Sequence, residues 1–154
     1  MNAGVSFLAL ALAIAGCVHA APTGVGVVSP GDLNAAPEQY RDKTVVVKGF
    51  LTLVPEAHNL YQSKELKAEF ERLWDAEDPE FYPRAYQAYC LTIANPDALT
   101  IKAEALDGTT VTVKGKFLAD YLDGKMDFGA CPLPTAIVID VDDLRRRYPS
   151  IFTN

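Results

Sequence analysis

The sequence has few of the side chains that usually carry chemistry. Its 154 residues include two His, three Cys and one Trp. Beyond residue 20 there remain one His and two Cys at wide spacing, which is too few for a four-ligand structural zinc site. The chain also lacks the His-Glu-x-x-His, Gly-x-Ser-x-Gly and phosphate-binding glycine motifs. The sequence therefore predicts no catalytic residue, no metal and no cofactor, and the protein is expected not to be an enzyme.

Charged side chains are missing from the first part of the chain, and negative ones outnumber positive ones in the rest. No Asp, Glu, Lys or Arg precedes Asp32, and the formal net charge is -6. An acidic domain repels phosphate backbones, so nucleic acid is not an expected partner. The one basic run, Arg145-Arg-Arg147, has Asp140, Asp142 and Asp143 close by. We predict that this run forms local ion pairs in a short closing helix.

No apolar run is long enough to cross a membrane. The longest, Val5 to Ala15, has about eleven residues, which fits the core of a signal peptide but not a bilayer span of about twenty. Ile14-Ala-Gly-Cys17 resembles the lipobox of bacterial lipoproteins, so residues 1–17 are predicted to be a signal peptide that leaves a lipidated Cys17. Val18-His-Ala20 offers an alternative cleavage site. The protein is therefore expected to be exported, as a periplasmic or outer-membrane-anchored lipoprotein with residues 18–28 as its tether.

The remaining residues, 29–154, predict a single domain built on strands. Thr44 to Val54 alternates apolar side chains between two faces and contains Gly49, where we expect a bulge or bend. A second stretch, Thr110-Val-Thr-Val-Lys-Gly-Lys-Phe-Leu118, repeats the pattern Thr-Val-x-Val-Lys-Gly, and the fourth strand is predicted from Thr109 to Leu118. Two long strands that each bend at a Gly are typical of a small, strongly coiled barrel.

Shorter patterns supply the other elements. A stripe formed by Leu66, Phe70, Leu73 and Trp74 predicts an amphipathic helix from Lys64 to Asp75. Asn95 followed by a Pro predicts a capped second helix. The other predicted strands are Asn59 to Gln62, Tyr86 to Ile93 and Thr135 to Val141.

This order predicts an all-β fold with helical additions, namely a five-stranded Greek-key barrel with a helical insertion between strands two and three. Asn34-Ala-Ala-Pro-Glu-Gln-Tyr-Arg-Asp-Lys-Thr-Val-Val-Val-Lys-Gly49 is similar to the opening of small exported OB-fold proteins of bacteria. In those proteins a Pro-x-x-Tyr turn precedes a Lys-Thr/Val-x-Val-x-Gly strand. The resemblance implies an OB-fold barrel of the anticodon-binding-like group. Most such proteins have no assigned activity, so the resemblance implies little about function.

OB barrels often bind single strands or sugars on strands two and three through stacked aromatic side chains. Tyr61, Tyr86 and Tyr89 lie on those predicted strands and are the candidate ligand-face aromatics; packing under the inserted helix is the alternative. His58 is interpreted as a loop residue beside the Asn59 turn, with a general base as the alternative.

Taken together, these features predict a non-catalytic, lipid-anchored domain that contacts an envelope protein or a cell-envelope polymer. Its membrane contact would be the lipid anchor. A domain that binds an oligosaccharide or oligonucleotide is one alternative, and a small periplasmic enzyme is another.

Two cysteines, Cys90 and Cys131, remain beyond the leader. Exported compartments favour oxidation, and an even count is what pairing requires. In an OB barrel the third and fifth strands are neighbours. Cys90 lies on the predicted third strand and Cys131 just before the fifth, so we predict a disulfide bond between them; two separate buried thiols are the alternative.

Overall fold

The computed structural model describes residues 26–55, 57–75 and 88–153. The predicted signal peptide with Cys17, and Tyr86 among the candidate aromatics, lie outside these residues. The end of the predicted tether is held by the domain, because Val28 bridges to Val47 and its N–H donates to the Val46 carbonyl at 2.9 Å. No helix in the described part of the chain is long and apolar enough to cross a membrane.

Five strands close into a barrel. They are β1 (Thr44–Val54), β2 (Ala57–Tyr61), β3 (Cys90–Ile93), β4 (Thr109–Leu118) and β5 (Ala136–Ile139). The order around the barrel is β1-β2-β3-β5-β4, and β4 pairs with β1 to close it. The β3–β5 pair is parallel and the other pairs are antiparallel. The prediction of a five-stranded barrel with additional helices is confirmed at this level.

Helices occupy the connections and the end of the domain. They are α1 (Pro30–Ala35), α2 (Pro37–Tyr40), α3 (Lys64–Asp75), a 3-10 helix (Pro96–Lys102) continued by α4 (Ala103–Leu106), α5 (Val141–Arg147) and α6 (Pro149–Phe152). The range predicted for α3 is confirmed. Its stripe residues Leu66, Phe70 and Leu73 are only half-buried, so they lie outside the barrel core.

Alternate residues of each strand fill the barrel. Val45, Val47 and Leu51 of β1 point inward with Val113 and Phe117 of β4, as the period of two dictates. Four leucines from helices complete this core: Leu33, Leu99, Leu106 and Leu144. Burying each such side chain contributes about 1.5–3 kcal/mol, so the core supplies most of the driving force for folding.

The two glycines of the repeated pattern serve close packing between strands. The β1–β4 pairing stays in register through Gly49, which lies opposite Val111, so the expected bulge is absent from this pair. A Cβ atom at Gly49 would lie 2.6 Å from the Tyr61 carbonyl oxygen, and one at Gly115 would collide with the Val138 carbonyl. Glycine is therefore required because neighbouring backbones approach these positions.

The structure corrects two details of the sequence interpretation. β2 begins before Asn59, so His58 is a strand residue opposite Leu53 and not a loop residue. Asn95 does not cap the 3-10 helix. Its amide instead joins both backbone groups of Ile139 on β5, donating at 3.0 Å and accepting at 2.8 Å. The Asn95 side chain thus bonds to Ile139 on a distant strand instead of to the start of its own helix.

The basic run of α5 pairs locally, as predicted. Arg145 contacts Asp142 at 3.2 Å, Arg146 contacts Asp143 at 3.5 Å, and Arg147 also contacts Asp143. The paired residues are one helical turn apart and the arginine ends are open to solvent, so each pair contributes little to stability.

The predicted disulfide bond is confirmed. Cys90 on β3 is bonded to Cys131, with their Cα atoms 5.9 Å apart and both residues buried. The Cys131 N–H also donates to Thr92 Oγ1 at 2.9 Å. Cys131 belongs to the connection between β4 and β5, here called the β4–β5 loop (residues 119–135). The bridge therefore fixes one end of this loop on β3.

Replacing both cysteines, Cys90→Ala with Cys131→Ala, should lower the free energy of unfolding by about 4 kcal/mol, because the bridge closes a loop with a sequence separation of 41. Urea unfolding of the oxidised protein and the double variant measures this loss. Wild-type protein unfolded in reductant is the matched control and should resemble the variant. An unchanged free energy of unfolding in the variant would contradict the structural role of the bridge.

Candidate functional site

A groove lies between the β1–β2 hairpin and the 3-10 helix. Its volume is about 380 Å³, within the usual range of ligand sites, about 300–1,000 Å³. The hairpin contributes four lining residues, which are Leu53, Val54, Pro55 and His58. The 3-10 helix contributes Pro96, Asp97 and Thr100, and α4 contributes its first residue, Ala103. The groove is therefore mostly apolar, with three polar side chains.

The geometry of the 3-10 helix explains which of its residues reach the groove. Residues three apart lie above one another in such a helix, so Asp97, Thr100 and Ala103 form one column. Leu99 is 1% exposed and points into the barrel core, which fixes the orientation of the helix. The Thr100 hydroxyl donates to the Pro96 carbonyl at 3.5 Å. Among the described residues, Asp97 takes part in no ion pair.

His58 joins the groove to the β4–β5 loop. Its Nε2 atom lies 3.1 Å from Asp127 Oδ2, and the two residues are 69 positions apart in the chain. The Tyr121 hydroxyl donates to the same oxygen at 3.1 Å, and the Gly129 N–H donates to Oδ1 at 3.0 Å. Three donors thus converge on one partly buried carboxylate.

These contacts shift the pKa values of the acidic partners. Burial raises the pKa of Asp127, but hydrogen bonds from His58, Gly129 and Tyr121 outweigh it, and the net pKa is lowered from 3.8. Burial, followed by the bond to Asp127, raises the pKa of Tyr121. Asp127 is therefore ionised at neutral pH and accepts hydrogen bonds.

An ionised carboxylate has no proton to donate, so the proton of the His58–Asp127 bond belongs to the imidazole. We assign the Nε2–H tautomer to neutral His58 on this ground. The pair has no further metal-ligating neighbour, since no group of three His, Cys, Asp or Glu residues in the described part could hold a metal ion. The hydrogen bond therefore attaches the β4–β5 loop to β2.

Gly129 allows the imidazole to sit where it does. A Cβ atom at Gly129 would lie 2.5 Å from His58 Nδ1 and 3.1 Å from the Pro55 carbonyl oxygen. The ring therefore packs directly on the glycine backbone. This places the neighbouring residues of the loop beside the β1–β2 hairpin.

Exposed apolar side chains occur on the segments that form the groove and on the β4–β5 loop that His58 joins to it. Val54 lines it and is 43% exposed, and Ile101, next to Thr100, is 91% exposed. Met126 and Phe128 flank Asp127 and are 79% and 92% exposed. We call these four residues the apolar rim. Four of the five large apolar residues that are exposed in the described part of the chain belong to it.

Of the two candidate aromatics that the structure describes, Tyr61 is on β2, whereas Tyr89 is in the turn before β3 and not on the strand predicted for it. Tyr61 lies beneath α3, where Lys67 Nζ is 5.8 Å from the ring centroid, and burial raises the pKa of its hydroxyl. Tyr89 lies near α1, since a Cβ atom at Gly31 would be 3.6 Å from its ring. Tyr86 is outside the described residues. Neither Tyr61 nor Tyr89 lines the groove.

The outer face of strands β1, β2 and β3 is closed as well. Thr52, Asn59 and Thr92 form a polar row across these strands, and all three are buried. Asn59 Oδ1 has no hydrogen-bond partner among the described residues. The face on which OB barrels usually bind ligands is therefore not an open surface here.

Sequence reasoning missed Asp127, Gly129 and Asp97. Asp127-Phe-Gly129 carries a local turn signal, because the Asp side chain accepts the N–H two residues on. That signal predicts a turn but not its contact with His58, which depends on the path of the β4–β5 loop.

Comparison with known proteins adds no assignment: no family model, curated protein or solved structure matches this chain.

Gly129→Ala should displace the His58 ring and break its contact with Asp127, because the new Cβ atom would overlap the imidazole. The Nε2–H proton of His58 should then shift its NMR signal and exchange faster with water, because it loses its acceptor Asp127 Oδ2. Gly26→Ala is the control, since nothing lies within 4 Å of a Cβ atom there. A wild-type Nε2–H signal in Gly129→Ala would contradict the packing of the ring on Gly129.

Proposed function

We propose that this protein is an exported, lipid-anchored, non-catalytic binding domain that docks a protein of the cell envelope on the groove and its apolar rim. The observation that carries this proposal is that four of the five large apolar side chains exposed in the described residues lie on the groove segments or on the loop that His58 joins to them. Monomeric proteins rarely collect such side chains in one place, and surfaces of this kind, rimmed by polar residues, mark interaction sites. Aromatic and Met side chains are also enriched in interfaces.

The strand order supports an OB fold for this domain. The closed order β1-β2-β3-β5-β4, with β3 and β5 parallel, is that of the five-stranded barrel described for OB proteins. In this proposal α3 is a helical insertion between β2 and β3, and the 3-10 helix with α4 forms the connection between β3 and β4. The β1–β2 hairpin and the β4–β5 loop then carry the binding surface.

A protein partner fits better than an oligosaccharide or oligonucleotide. Neither Tyr61 nor Tyr89 lines the groove, so the groove offers no tyrosine platform for stacking sugars or bases. The net charge of -6 disfavours a phosphate backbone. Val54 and Ile101 add exposed apolar area on the two segments that form the groove, and such area is typical of the centre of a protein interface.

The proposed anchor places this surface close to a membrane. Val28 is fixed against β1, which leaves residues 18–27 between a lipidated Cys17 and the domain. At about 3.3 Å per residue these would span at most about 33 Å. An envelope protein within that distance is the expected partner.

The binding function predicts contact between Phe128 and the partner. A photo-crosslinking phenylalanine analogue at position 128 should give one discrete adduct in envelope extract, and mass spectrometry identifies it. The same analogue at Lys64, at the opposite end of β2, is the control and should give none. Excess wild-type protein should compete, whereas Phe128→Ser, a change at a 92% exposed position, should compete at least fivefold less well. Equal competition by both would contradict the proposed surface.

A further inference from the structure

We propose that the groove receives a lysine side chain of the partner protein, with an apolar neighbour of that lysine packed on the rim. This assignment rests on the proposed function and specifies the chemistry of the partner. It follows from three features of the groove, which are its hydrogen-bonding groups, the charges around it and its apolar walls.

The polar side chains of the groove have no donor to offer. The Thr100 hydroxyl donates to the Pro96 carbonyl, and His58 Nε2–H is committed to Asp127. Pro55 and Pro96 have no backbone N–H. Asp97 adds a carboxylate, which can only accept hydrogen bonds. The side chains of the groove therefore favour a group that donates, and an ammonium group donates three hydrogen bonds and accepts none.

The charges beside the groove favour the same group. Asp97 lines the groove with no ion-pair partner in the described part of the chain, and Glu104 follows the lining residue Ala103. Asp107 lies beside β1, where its Oδ1 accepts the Leu53 N–H at 2.8 Å. Lys102 is in the helical column of buried Leu99, away from the column of Asp97. The local field is negative and attracts a cation.

The apolar walls fit the stem of a lysine. Leu53, Val54 and Ala103 line the groove, and a lysine buries its methylene chain along such surfaces while its charged end reaches a polar partner. The groove volume of about 380 Å³ also leaves room for part of a neighbouring residue. The ammonium group is compact and ends a flexible four-carbon stem, so it can reach the Asp97 carboxylate while the stem packs on these walls.

The test uses the folded mature protein and four capped tripeptides of sequence Leu-X-Leu, in which X is lysine, norleucine, glutamine or glutamate. NMR titration follows the signals of His58, Thr100 and Ala103. The lysine peptide should bind at least fivefold more tightly than the norleucine peptide, and the glutamate peptide should bind most weakly. Asp97→Asn should abolish the preference for lysine. Glu65→Gln, which removes the same charge on α3 at the other end of β2, should retain it.

Two results would overturn the assignment. One is equal binding of the lysine and norleucine peptides, or a lysine preference that survives Asp97→Asn. The other is binding of phosphatidylethanolamine vesicles at these residues without binding of the lysine peptide, which would make the occupant a lipid headgroup. If the lysine preference fails while Phe128 still crosslinks to one protein, the docking function stands and only its chemistry is wrong. If both fail, the docking function fails too.

Discussion

The contact between His58 and Asp127 is the constraint on which the candidate binding surface depends. It joins β2 to the β4–β5 loop across 69 positions of sequence. It is the hydrogen bond that ties Asp127, between Met126 and Phe128, to the β1–β2 hairpin. The cost of ordering a loop is mainly conformational entropy, and a contact that closes it must offset that cost. The Asp127 carboxylate makes three such hydrogen bonds. The one from His58 attaches the loop to β2, and those from Tyr121 and Gly129 order the loop itself.

The disulfide bond and the His58–Asp127 contact attach the β4–β5 loop to the barrel at two different points. The bridge attaches the loop covalently to β3, and the Cys131 N–H bond to Thr92 fixes its direction. The His58–Asp127 contact then fixes the part of the loop that carries Met126 and Phe128, two of the four residues of the apolar rim. A surface that is ordered before binding loses less entropy when a partner docks, so this arrangement favours binding over a mobile loop of the same composition.

The sequence predicted the parts of the fold that depend on local patterns. β1 and β4 were found with their observed bounds, because period-two alternation and a repeated glycine mark them. The disulfide bond followed from cysteine count and strand order. The candidate site was not predictable in this way. His58 was assigned to a loop because strand β2 is short and polar, and its partner Asp127 is distant in sequence. Asn95 has the local pattern of a cap, yet its amide is better satisfied by Ile139.

His58 and Asp127 interact directly and hold the β4–β5 loop on β2. A double-mutant cycle with His58→Ala and Asp127→Ala, measured by urea unfolding at neutral pH, tests this interaction most directly. Direct contacts give coupling free energies of about 0.5–3 kcal/mol, and we expect about 1 kcal/mol or more here because the carboxylate is ionised and partly buried. Additivity of the two single losses, within about 0.5 kcal/mol, would show that the residues do not interact and would contradict the account.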